Sequence, residues 1–230
     1  MKTLGIIGGI GPESTIDYYR LTIEIYREQR RDGSYPSIII NSIDLNTVRS
    51  LVETGALKEL AEHLVAELQR LSRAGAHFGL LAANTPHIVF DEVQQHSPIP
   101  LISIVQATCD VARSMKLNRL GLLGTRFTMQ GRFFPDVFSR HNIALVVPDE
   151  DTQAYVHDKY MNELVNGIFL SETRDRLLVI IQNLKDQHHI DGLILGGTEL
   201  PLILRDVDAG IPFLDTTRIH VQAAVTQMLA

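Results

Sequence analysis

Cysteine is almost missing from this chain of 230 residues: Cys109 stands alone, which excludes an internal disulfide and any cysteine-built metal site and agrees with a reducing compartment. Basic excess is missing too. Lys and Arg number 21 against 27 Asp and Glu, the formal net charge is −6, and no cluster of cations could follow a phosphate backbone, so nucleic acid is not an expected partner. No apolar run approaches the ~20 residues that span a bilayer, and Met1-Lys2 leads into a strand-like stretch without the apolar core and cleavage site of a secretory leader. A cytoplasmic protein with no membrane partner is expected. Neither HxxxH nor HExxH spacing occurs among the nine histidines, so no metal is expected, and no Pro/Ser-rich linker divides the chain.

What is present is an α/β alternation. The short apolar runs Leu4 to Ile10, Ser37 to Ile43, Phe78 to Ala83 and Pro100 to Val105 suit strands buried on both faces of a parallel sheet. Helical periods over Pro12 to Arg30, Leu57 to Arg73 and His87 to Gln95 separate them. The second half repeats the pattern: strands at Arg119 to Gly124, Ala144 to Pro148, Gly192 to Gly196 and Ile211 to Leu214, with helices near Thr128 to Arg140, Thr152 to Val165, Glu172 to His188 and Thr217 to Leu229.

Two strand-end motifs recur at nearly one displacement. LGIIGGIGP from Leu4 matches LGLLGTRFT from Leu120, 116 residues on, and AANTPH from Ala82 matches GGTELP from Gly196, 114 residues on. This predicts two similar Rossmann-like α/β domains with parallel sheets, duplicated about a pseudo-two-fold, with a ligand cleft between them. The first would comprise residues 1–99 and 212–230, the second 100–211.

The candidate site residues lie at the carboxyl ends of the expected strands. Gly9, Gly11 and Pro12 form a turn into a helix whose amide groups and dipole could seat a carboxylate, although the glycines complete no GxGxxG and no GKS/T follows. Asn84, Thr85, Thr125, Thr128 and Thr198 offer neutral hydrogen-bonding groups, each of which could equally be a helix cap. Arg49, Arg126 or Lys159 could meet a second carboxylate, or be solvated surface charges. His87 and Glu199 take equivalent places after the two turns and are the candidates for proton transfer, with bracing of the loop the leading reading for His87. Cys109, in QATCDVA on an expected helix, reads as a packed thiol rather than a nucleophile.

IGGIGPESTIDYY, AANTPH followed by FDE, LLGTRFTM and LGGTELPLIL together resemble the aspartate/glutamate racemase family across most of the chain. The resemblance implies two similar α/β domains, commonly a homodimer, no cofactor such as pyridoxal phosphate, and a small amino-acid dicarboxylate in the cleft. It also implies one thiol on each side of the substrate Cα, in loops reading CNT and GCTE. Here those two positions are Ala83 and Gly197, and neither a methyl group nor a bare Cα can accept a proton. Three readings remain: a natural branch using His87 or Glu199 for one-base chemistry such as a decarboxylation, elimination or isomerisation; an inactive carboxylate-binding or regulatory homologue; and engineered removal of both thiols, which Gly makes an unusual choice.

Overall fold

The computed structural model describes residues 2–205 and 207–230. It divides into two compact units, Met1–Ala107 with Thr217–Ala230, and Thr108–Thr216. These borders fall later than the sequence-based ones at 99/100 and 211/212, because the strand-like segments there still belong to the preceding sheet: Leu101 bridges to Gly79, and Phe213 pairs with Leu193.

The first unit is built on β1 (Leu4–Gly8), β2 (Ile38–Ser42) and β3 (Phe78–Leu81), all parallel, in the order β2-β1-β3. Around them the chain forms α1 (Pro12–Arg30), α2 (Leu45–Glu53), α3 (Leu57–Arg73), a 3₁₀ turn Thr85–Val89, and α4 (Phe90–His96), before entering α5 (Ile104–Ser114). β1 and β3 are buried along their whole length, as their unbroken apolar sequences require. In α3 the buried residues Leu60, Ala61, Leu64, Leu68 and Leu71 form one stripe at three- and four-residue steps.

The second unit holds β4 (Arg119–Gly124), β5 (Ala144–Val146), β6 (Gly192–Gly196) and β7 (Phe213–Asp215), parallel, in the order β5-β4-β6-β7. Its helices are α6 (Arg126–Gln130), α7 (Phe133–Ser139), α8 (Glu150–Asn162), α9 (Ser171–His188) and the single turn α10 (Leu200–Ile203), with a 3₁₀ turn Leu164–Asn166. Leu123, Leu193 and Leu195 of the sheet pack with Val156 and Tyr160 of α8 and Leu177, Ile181 and Leu184 of α9.

The repeat read from the sequence is a repeat of register. Leu4 faces Phe78 across β1 and β3, and Leu120 faces Gly192 across β4 and β6, so the displacements of 116 and 114 residues carry one paired position onto the other. Several elements differ from expectation. The run Pro100 to Val105 is no strand beyond the Leu101 bridge, because Ser103 Oγ accepts the N–H of Gln106 at 3.2 Å and starts α5. The expected helix from Thr128 to Arg140 is two helices, parted at Gly131, whose backbone is extended. α2 was not expected; Asp44 caps it by accepting the N–H of Asn46. Among the described residues no helix is long and apolar enough to cross a membrane.

The last helix, α11 (Thr216–Leu229), follows β7 but completes the core of the first unit from Thr217 onward. Val221, Ala224, Val225 and Met228 pack there with Leu4, Ile6, Tyr18, Leu21, Phe78 and Leu80. A charge introduced into this cluster would be desolvated without a partner. Val225→Asp is expected to cost roughly 3–5 kcal/mol in urea unfolding, the range for an uncompensated buried charge. Amide exchange should accelerate first in β1 and β3; equal acceleration in β4 and β6 would contradict this assignment of α11.

Candidate active site

In the first unit the turn after β1 is shaped by sterics. Gly9 has φ 83°, and a Cβ built there would overlap the carbonyl oxygen of Ile43 and lie 2.7 Å from its amide nitrogen, so no other residue fits. Gly11, with φ 120°, precedes α1, and Pro12 opens the helix on the exposed surface. The Gly9 N–H donates to Thr15 Oγ1 at 2.8 Å, and Thr15 Oγ1 donates to the Gly11 carbonyl at 3.1 Å. The Gly9 amide is thereby engaged inside the turn. Ser14 Oγ donates to the carbonyl of Ala82 at 3.0 Å and so ties the start of α1 to the end of β3.

At that end sit Ala83 and Asn84, both buried, and Thr85, half-buried. His87 is 2% exposed, and both its ring nitrogens serve the backbone. Nε2 accepts the N–H of Ile104 at 3.2 Å, so it carries no proton, and Nδ1 then donates to the Ala83 carbonyl at 3.1 Å. The ring stacks on Phe90 at 4.8 Å and meets His220 edge-on at 6.2 Å. Burial, and then the neighbouring His220, push its pKa down to about 3. His220 is itself pushed down to about 4 by burial; it accepts from the Tyr18 hydroxyl at 2.8 Å through Nδ1 and donates to the Ile102 carbonyl at 2.9 Å through Nε2. His87 thus braces the loop in neutral form, as the leading reading of the sequence expects. Arg49, on α2, is exposed and paired only loosely with Glu53 at 3.8 Å.

In the second unit Thr125 caps α6, its Oγ1 accepting the Thr128 N–H at 3.3 Å and lying 3.2 Å from the Thr128 hydroxyl. Arg126 is exposed, and its N–H donates to His157 Nδ1 at 3.3 Å. Lys159 is held by Glu163 at 2.6 Å, which raises the lysine and, with the Thr173 hydroxyl, lowers the carboxyl. The ion pair holds the Lys159 ammonium against the end of α8.

The turn after β6 is different in kind. Glu199 is 1% exposed, and its Oε2 accepts hydrogen bonds from the Thr198 hydroxyl at 2.9 Å and from the hydroxyl of Tyr160 on α8. A Cβ built at Gly197 would overlap Cε2 of the Tyr160 ring and lie 3.0 Å from its Cζ and 3.1 Å from its hydroxyl. The position that resemblance assigns to a thiol is therefore filled by a phenol from another element. Burial, then the charge of Glu199, raise the Tyr160 pKa well above its ordinary value, so the hydroxyl stays protonated. The sequence did not signal Tyr160: a tyrosine within a helical period reads as core, and only a glycine opposite betrays it.

Cys109, buried on α5, is pushed up to about 11 by burial and by Asp110, and is no nucleophile at neutral pH. Among the described residues no group of three His, Cys, Asp or Glu is arranged to hold a metal ion.

The model of the Asp/Glu/Hydantoin racemase family matches residues 7–224. The chain is similar to the broad specificity amino-acid racemase RacX of Bacillus subtilis (strain 168), at 24% identity over 243 residues, covering 99% of this chain and 98% of that protein. Among solved structures, one from Yersinia pestis assigned to the Asp/Glu racemases superimposes with a TM-score of 0.90 at 33% identity over 100% of both chains. An aspartate racemase homologue from Pyrococcus horikoshii OT3 does so with 0.86 at 32%, again over 100% of both.

The buried histidines set a pH dependence of stability. Both are neutral when folded and protonate near 6.5 when unfolded, so the unfolded state binds more protons below that value. Their contribution is complete above pH 6.5 and is lost as pH falls towards 4 and 3. Between pH 7 and pH 5 the unfolding free energy should drop by about 2 kcal/mol per histidine, at ~1.4 kcal/mol per pH unit. Urea titrations at the two pH values measure this, and His220→Gln should halve the drop; stability independent of pH would show the rings charged in the folded protein.

Proposed function

Since the chain belongs to the Asp/Glu/Hydantoin racemase family, we propose that it binds a small amino acid or dicarboxylate and moves the α-proton on one face only, as a cofactor-independent isomerase or lyase. The chemistry of the tip after β6 carries this reading. The tip after β3 offers a methyl group at Ala83 and a histidine whose nitrogens are both engaged by backbone. The tip after β6 offers a buried carboxyl, Glu199, with two hydroxyls donating to it. Proton abstraction needs an acceptor within hydrogen-bond reach, and only the second tip has one.

Carboxylate oxygens of the ligand fall to main-chain amides and to Thr125, Thr128 and Thr198, at the carboxyl ends of β4 and β6, where α/β sheets take ligands. The breadth of the amino-acid racemase RacX supports testing neutral as well as acidic amino acids. A cytoplasmic homodimer without cofactor goes with the same reading, as does the absence of any disulfide partner for Cys109.

Incubation of L- and D-aspartate, L- and D-glutamate and L- and D-alanine in heavy water, followed by proton NMR at Cα and chiral chromatography, tests it. Deuterium should enter Cα of one enantiomer with its configuration retained. Inversion at a comparable rate would require a second acceptor and refute one-sided chemistry. Thermal stabilisation by a ligand without any exchange would show a binding module.

A further inference from the structure

We infer that Tyr160 is the catalytic residue that meets the substrate at the β6 tip, relaying the α-proton to Glu199. This rests on the one-sided chemistry proposed above and identifies its reacting group. The geometry is that of a replacement: at Gly197 the chain forgoes a side chain, and the space is taken by the Tyr160 ring, its hydroxyl 3.1 Å from where a Cβ would stand. The ring keeps this place only because residue 197 is glycine: any Cβ there would displace it. The hydroxyl donates to Oε2 of Glu199, and the same oxygen accepts from Thr198 at 2.9 Å. Two hydroxyls thereby cover that oxygen of Glu199, and of the two only the phenol stands where the family thiol would project.

In the step itself the substrate Cα–H bond breaks and its proton bonds to the phenol oxygen, while the phenol O–H bond breaks and its proton passes to Oε2 of Glu199. The electron pair of the C–H bond stays on the substrate as an enolate. Tyr160 ends neutral, as it began, and the carboxylate has become a carboxylic acid. Return of the proton along the same path restores the configuration. A phenol that remains protonated in its resting state suits a relay and not a standing phenolate base.

Tyr160→Phe keeps the ring that fills the tip and removes only the hydroxyl. Deuterium incorporation at Cα should fall at least ~100-fold, in the range for loss of a positioned proton-transfer group, while the melting temperature and the thermal shift given by glutamate or aspartate persist. Glu199→Gln should lose exchange to the same extent. A measurement on the unaltered protein keeps the proposal open to refutation whatever the variants do: tritium release from Cα-tritiated substrate should be slower in heavy than in light water, since a relay moves a solvent-exchangeable proton in the same step. Tyr160→Phe exchanging like the parent while Glu199→Gln is inert, or release indifferent to heavy water, would overturn the relay and leave one-sided chemistry standing. Absence of exchange in the parent with every amino acid tried would remove both.

Discussion

Register is the constraint on which the molecule depends. β1 and β3 start level, Leu4 against Phe78, and β4 and β6 start level, Leu120 against Gly192. Parallel strands with side chains buried on both faces cannot slip by one residue without turning every side chain to the opposite face. Each pair therefore delivers its two following turns, 9–12 with 83–85 and 125–128 with 197–199, to the same edge of its sheet. The chemistry of each unit follows from what those turns contain.

What they contain is mostly self-satisfied. Thr15 takes the Gly9 amide, Thr125 caps α6, and His87, just past its turn, is clamped between two backbone groups. Buried polar atoms must find partners, and in this chain neighbouring segments supply them. The β6 turn departs from that rule of local closure. Its carboxyl is met by a phenol from α8, whose ring has room only because residue 197 is glycine.

Much of this was legible in the residues alone. The alternation of buried runs and helical periods pointed to two parallel sheets, and the two displaced motifs pointed to their duplication, because strand-end turns are where sequence and geometry are most tightly coupled. PLISIV was not decidable from periodicity: an apolar run of that length suits a strand or the start of a helix, and a serine cap settles it. α2 escaped because it is short and buries only Val48 and Val52. Charged candidates such as Lys159 and Arg49 could be assigned to elements but not paired, since ion pairs depend on side-chain reach. Tyr160 was invisible for a deeper reason: its role is defined by the side chain missing at Gly197, on a different element.

α11 carries a further consequence. The first unit has its hydrophobic interior sealed by Val221, Ala224, Val225 and Met228, which follow the whole of the second unit in sequence. Domains usually mature in the order of synthesis. Here the first unit must wait, with β1 and β3 lacking a covering helix, until the second has been made. A nascent polypeptide of this design exposes apolar surface throughout the synthesis of its second unit.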